Sequence, residues 1–490
     1  MRAVSIPRPP FTCATAGTGA ATAADFPPLL RQTNLPANWP IRPSRKVTRG
    51  RTGHAQNQLP APHRPGVSAM WRSSLFAPFQ VRSFRFQYPA DLLTSWGTEM
   101  ENLILGWYIL VATGSVLLLT VFASLQYIGT LIAPLFGMAG DRIGHRLVMC
   151  MMRACYATLA SLLMTLAFTG VLRPLHVFII AATAGLIRSS DLAMRNALVA
   201  DTMPVEHFVS AMGASRTTSD SARTMAPLVG AGLFAAVGMG FAYLAITAFY
   251  TAGFLLTLGV GGRRYSSTSS SNTSTTRPIG TPRASFARDL REGFAYLWET
   301  PGSLAAMWLA FLVNLTAFPF TSGLLPYVAR EIYHVDETGL GWLIASFAFG
   351  SLLGSIAVSI GSRAVRPARM MLVFAMAWYA MLLVFVHMPT PTSGSLVLIL
   401  AGFAQNLSLV PMAVMLLHGA AEFRGRVMGM RMLAIYGLPL GLLAAGVLID
   451  HIGFIPMARL YCTVGMALTL LIALRWRTAL WPLQAAANAR

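Results

Sequence analysis

An all-α, polytopic membrane protein with twelve transmembrane helices in two six-helix bundles is the fold this sequence predicts. Three observations predict it. Hydrophobic residues make up 55% of the 490-residue chain and charged residues 11%, where soluble domains carry about a quarter charged. A water-soluble core does not hide that much apolar surface. From about residue 90 onward, apolar runs near twenty residues recur with short breaks, each long enough to cross roughly 30 Å of hydrocarbon as a helix. A Ser/Thr-rich stretch then divides those runs six and six.

The elements follow in chain order. Residues 1 to about 82 are rich in Pro, Ala, Arg and Thr, with Asp25 the lone acid and no sustained apolar period. The composition fits a disordered cytoplasmic tail, or translated sequence upstream of a true start such as Met70, better than an Arg-rich targeting peptide. A secretory signal is excluded because no apolar core follows the basic start. Spans are predicted at 90–112, 115–138, 148–170, 174–198, 209–234 and 238–260. A second set falls at 303–328, 339–361, 369–388, 394–418, 427–449 and 455–476. Between the sets, GGRRYSSTSSSNTSTTRPIGTPRASFARDLREGF reads as a flexible linker ending in a short amphipathic helix. The predicted organisation is an extension over 1–82, a bundle over 83–262, a cytoplasmic linker over 263–300, a second bundle over 301–478 and a tail over 479–490.

Arginine placement sets the orientation. The linker carries Arg263, Arg264, Arg277, Arg283, Arg288 and Arg291. The 8–9 loop adds Arg363, Arg366 and Arg369, and the 10–11 loop Arg424 and Arg426, whereas the opposite loops carry Arg173 and Arg330. The positive-inside rule then puts both termini in the cytoplasm. The formal net charge of +20 is almost all arginine, Lys46 being the only lysine. Those arginines lie between apolar runs rather than along one patch, which argues against a nucleic-acid partner. Cys13, Cys150, Cys155 and Cys462 have no metal-ligand spacing and read as packing residues. No Walker-A loop, HExxH, GxSxG or CxxC pair occurs, so neither a cofactor nor enzymatic chemistry is expected.

The stretch GMAGDRIGHR, residues 137–146, joins the second and third runs. Ala133, Gly137 and Gly140 are small enough for close helix approach. Arg142 complements the negative end of its helix dipole, and Asp141 does not, so the aspartate needs a positive partner elsewhere. Gly137, Asp141, Arg142, Gly144 and Arg146 resemble the 2–3 loop motif G-x-x-x-D-R-x-G-x-R of the major facilitator superfamily. His145 stands where that family often has another cation, and reads as a surface substitution. A finer resemblance is to the branch of the enterobactin exporter and macrolide-efflux proteins. It rests on Phe84, Arg85 and Trp96, on DLAMRNA with Asp191, Arg195 and Ala197, and on R-G-R-V at Arg424 to Val427. Asp91 replaces that branch's Gln, and DLAMRNA lacks its proline. The resemblance implies that Asp141 latches against the region of Arg424 to Val427 in an outward-facing state. In the second half's counterpart, IGSRAVRPAR, Arg363 is kept and Ser362 replaces the acid.

A charge near a helix centre costs roughly 2.5–3.5 kcal/mol on insertion scales, so such a residue faces a cavity or a partner. The carboxylates at that depth are Glu99, Glu101 and Asp91 in span one, Asp191 in span four and Asp220 in span five. The second half has none in mid-span, Asp450 lying at a rim, so a proton carrier is expected in the first six helices. Glu99 is the first candidate; it and Glu101 point about 160° apart, so at most one faces a cavity well. Arg188, Asp191 and Arg195 share one helical face, as do Arg216, Asp220 and Arg223. Each set either neutralises itself beside a vestibule or offers Arg188 or Arg223 to an anionic substrate. Asn314, Gln405 and Asn406 suit interhelical hydrogen bonds or substrate contacts, and Pro326 breaks its helix. GSLLG (350–354) and GLPLG (437–441) suit close packing.

Taken with the resemblance, these residues imply proton-antiport export of a small amphipathic molecule, drug-like or siderophore-like, from the cell membrane. The partners expected are that substrate, protons and the bilayer. The alternatives are a same-fold carrier of another cargo or direction, such as lysophospholipid or import, and a non-transporting membrane sensor.

Overall fold

The computed structural model describes residues 77–261, 298, 300–361, 366–417 and 434–480, and every regular element among them is helical. α1 (Arg82–Thr113) begins ahead of the predicted residue 90. Its first turns are anchored by Phe79, from a 3-10 turn at Ala77–Gln80, which packs edge-on against Phe84 and Tyr88. Span two is broken into α2 (Val116–Leu125) and α3 (Ala133–Ile143), bent by 47°. Pro134 opens α3 and has no N–H to give the preceding turn. α4 (His145–Phe168) and α5 (Pro174–Thr202) follow.

Spans five and six form one 54-residue element, α6 (Val205–Leu258), interrupted at Gly238 with φ 78° and ψ 178°. Glycine alone takes that conformation without strain, and there the chain doubles back. Tyr88 of α1 meets Thr217, and Met100 meets Gly230, so the first arm runs along α1. Gly97 meets Tyr250 and Thr94 meets Gly253, so the second arm runs back.

In the second half, α7 (Pro301–Thr316) ends before Pro319 and continues as short turns to a π-helical turn at Val328–Ile332, so predicted span seven is fragmented. Then come α8 (Glu337–Gly361), α9 (Pro367–Phe385), α10 (Pro391–Leu417), α11 (Gly437–Ile452) and α12 (Phe454–Arg475). Among the described residues, seven helices, α6 counted once, are long and apolar enough to cross a membrane, and an eighth joins them if α2 and α3 count as one. α1 carries three carboxylates, at Asp91, Glu99 and Glu101, while α7 and α11 are shorter apolar helices.

Glycines set the close packing as predicted for α8 and α11. Gly350 and Gly354 lie against the carbonyls of Ile399 and Phe403 on α10, and Gly402 against that of Phe347. Gly437 and Gly441 lie on the carbonyls of Phe311 and Leu315. Span two behaves otherwise: Gly137 has nothing within 4 Å of a notional Cβ, while Gly140 abuts the His145 ring. The closest helix approach there is Gly129 against Gly185 and Leu186, a pair with no repeat spacing to announce it.

The two sets of helices touch from mid-height to the end remote from Asp141. Ser124 donates to the Pro439 carbonyl at 3.3 Å, Arg330 to the Leu110 carbonyl at 2.7 Å, and Gly341 seats on Ala231 and Pro227.

Candidate functional site

A ladder of charge runs along α1. Asp91 is buried and bonded to Arg153 of α4, which is itself 0% exposed and also donates to Thr257 on the second arm of α6. Arg195 of α5 adds its charge, with Nε 3.8 Å from the Asp91 carboxylate and Nη1 donating to Ser95 at 2.6 Å. Asp191 pairs with Arg195 at 2.5 Å. Two carboxylates and two guanidiniums therefore neutralise one another, with Asp91 and Arg153 fully enclosed, since a buried charge must be paired.

Nearly three turns further along α1, Glu101 is buried and accepts from Arg188 at 3.1 Å and from Tyr250 at 2.8 Å. Arg188 also donates to Asn102 at 2.5 Å and Gln126 at 2.8 Å. Glu99 points elsewhere, as the angular separation requires: its side chain is 28% exposed and stands 3.8 Å from Arg223. Of the three candidate carboxylates on α1, Glu99 is thus the one with access to water.

Self-neutralisation within each helical set is therefore partial. Asp191–Arg195 and Arg216–Asp220 pair along their own helices, whereas Arg188 and Arg223 pair with α1. Arg153 was not among the sequence candidates, although an arginine inside LVMCMMRACYATLASLL is visible in the sequence. Asn314 donates to the Ala310 carbonyl of its own helix at 2.8 Å. Asn406 makes the interhelical bond, donating to the Ser351 carbonyl at 2.7 Å, and Gln405 is buried.

An open cleft lies between the two sets of helices, walled by Arg216, Asp220 and Arg223 on one side and Ser351, Ser355 and Asn406 on the other. Asp220, Ser351 and Asn406 each fall near the middle of their helices. The cavity is therefore at mid-depth.

At the 137–146 turn, Gly144 has φ 95°, which lets α3 pass into α4 through one residue. Asp141 is 73% exposed and its described partner is His145, at 3.8 Å. His145 departs from its surface reading: its side chain is 17% exposed and bonds Asp201 at 2.7 Å. Arg146 donates to the Leu258 carbonyl, tying the turn to the end of α6, while Arg142 is exposed. Arg424 and Arg426, the expected partners of Asp141, lie outside the described residues.

Two helical halves flanking a charge-lined cleft at mid-depth make a membrane carrier. The chain belongs to the Major Facilitator Superfamily, whose model matches residues 88–439. No curated protein matches its sequence. Solved structures share the fold. A bacterial homologue of the human lysosomal transporter Spinster, inward-facing and unoccupied, is 12% identical, with 81% of this chain and 96% of that one covered and a TM-score of 0.64. The nucleoside transporter NupG is 12% identical over 81% and 98%, with a TM-score of 0.60. A D-xylose-proton symporter is 11% identical over 79% and 96%, with a TM-score of 0.59. The protein is thus a multi-pass membrane transporter.

Proposed function

We propose that this transporter is a proton-coupled exporter of small amphipathic molecules, drug-like or siderophore-like, working by alternating access in a cell membrane with both termini cytoplasmic. The helices of 83–262 and 301–478 are the two rocking bodies, joined by 263–300. The observation that carries coupling is the position of Glu99. It alone of the α1 carboxylates is both opposed by an arginine and open to water, so a proton can reach it and leave. Asp91, sealed between Arg153 and Arg195, holds helices together instead.

The contacts remote from Asp141 support a state closed on the outer side and open toward the cytoplasm. In such a state the latch is idle. It engages Arg424 and Arg426 when the cytoplasmic side closes. Export rather than import rests on the resemblance carried by R-G-R-V at Arg424 to Val427.

Flux in proteoliposomes under an imposed pH gradient tests the reading. Glu99→Gln should abolish gradient-driven flux while leaving the protein inserted and folded. Asp141→Asn should slow flux but keep ligand binding. Undiminished gradient-driven flux in Glu99→Gln removes the coupling role, and a wild type without flux points to a sensor.

A further inference from the structure

Arg216 and Arg223 are 60% and 62% exposed although they stand at mid-helix on the first arm of α6, in the wall of the cleft. Each is neutralised from one edge only. Asp220 stands 3.4 Å from Nε of Arg216, and Glu99 stands 3.8 Å from Nε of Arg223. Among the described residues, neither guanidinium has a partner on its terminal nitrogens. Two planar sets of N–H donors are therefore offered to the cavity, in the geometry that matches carboxylate and phosphate oxygens.

The facing wall adds donors without charge. Asn406 gives its amide protons to Ser351, so the Ser351 hydroxyl proton remains available, and Ser355 lies one turn further along α8. The packing of Gly350 and Gly354 on α10 leaves these serines on the neighbouring face, toward the cleft. Ala348 and Leu352 supply apolar surface between them. Of the lining residues, two arginines stand against one aspartate, and the second half contributes no balancing carboxylate.

We infer that the cargo is an organic anion. Arg223 holds its carboxylate, sulfonate or phosphate group at mid-depth, the α8 serines donate from the opposite wall, and its apolar body lies on Ala348 and Leu352. Arg216 stands two turns away, about 10 Å along the helix, nearer the open end of the cleft. It serves as the first station on the anion's path. This inference rests on the transport reading above and narrows it.

The test uses three probes with one body and different heads: pyrenebutyrate, pyrenebutanol and pyrenebutylamine. Binding to the full chain in detergent is read by tryptophan-to-pyrene energy transfer, and flux in proteoliposomes. The butyrate should bind at least about tenfold more tightly than the alcohol or amine. Arg223→Gln should erase that preference, and Arg223→Lys, which keeps the charge and controls for folding, should restore part of it. Arg216→Gln should weaken butyrate binding several-fold less than Arg223→Gln, with an effect that added salt diminishes. Equal binding of alcohol and butyrate, or a preference that survives Arg223→Gln, overturns the anion subsite. If the neutral or cationic probe is still transported, the transport reading stands; absence of flux for all three removes both.

Discussion

The two halves of the molecule solve the problem of living in lipid by opposite means. Among the described residues, the helices up to Leu258 bury Asp91, Glu101, Arg153 and Arg195, whereas those from Pro301 onward bury no charged side chain. The second half is held instead by backbone contact, glycine against carbonyl, at Gly350, Gly402 and Gly441. Ion pairs tolerate a change of partner, and interlocked backbones do not. The first half is accordingly the one that keeps charge inside its bundle. The second is a close-packed wall that adds neutral donors.

The largest test of that contrast is Arg153→Met. Removing one partner of a buried pair strands Asp91, and destabilisation of about 3–5 kcal/mol is expected, read as a lowered midpoint in thermal unfolding in detergent. Combining it with Asp91→Asn should recover much of the loss; no recovery would mean that Arg153 acts by packing alone. The matched change in the second half is Gly402→Leu, whose side chain would collide with the Phe347 carbonyl. Overpacking of this kind costs about 1–3 kcal/mol, and no polar second-site change should rescue it. The smallest effect is expected where the second half does carry an ion pair. Arg330–Glu331, 3.5 Å apart, is largely exposed, so Glu331→Gln should shift stability by less than about 1 kcal/mol. A loss as large as that of Arg153→Met would break the comparison.

Much of this was legible in the sequence. Run length gave the helices, GSLLG and GLPLG gave two close contacts, and the depth of Asp91 and Glu101 marked them as facing a cavity or a partner. The identity of the partners was not legible. Asp91 meets Arg153 across 62 residues, and which faces of two helices meet depends on the packing of the whole bundle. Arg153 itself was visible as a cation inside an oily run, but no spacing ties it to Asp91. His145 looked like a surface residue because its partner, Asp201, comes from the far end of α5. Gly129 and Gly185 carry no spacing signal, and only their juxtaposition in space reveals them.

The Asp91–Arg153 pair also bears on how the chain is made. Asp91 leaves the ribosome 62 residues before Arg153 and 104 before Arg195, which at roughly 5–20 residues per second is several seconds or more. During that interval Asp91 lacks both of its native counter-charges, so the settled seat of α1 in the bundle waits for α4 and α5 to supply them.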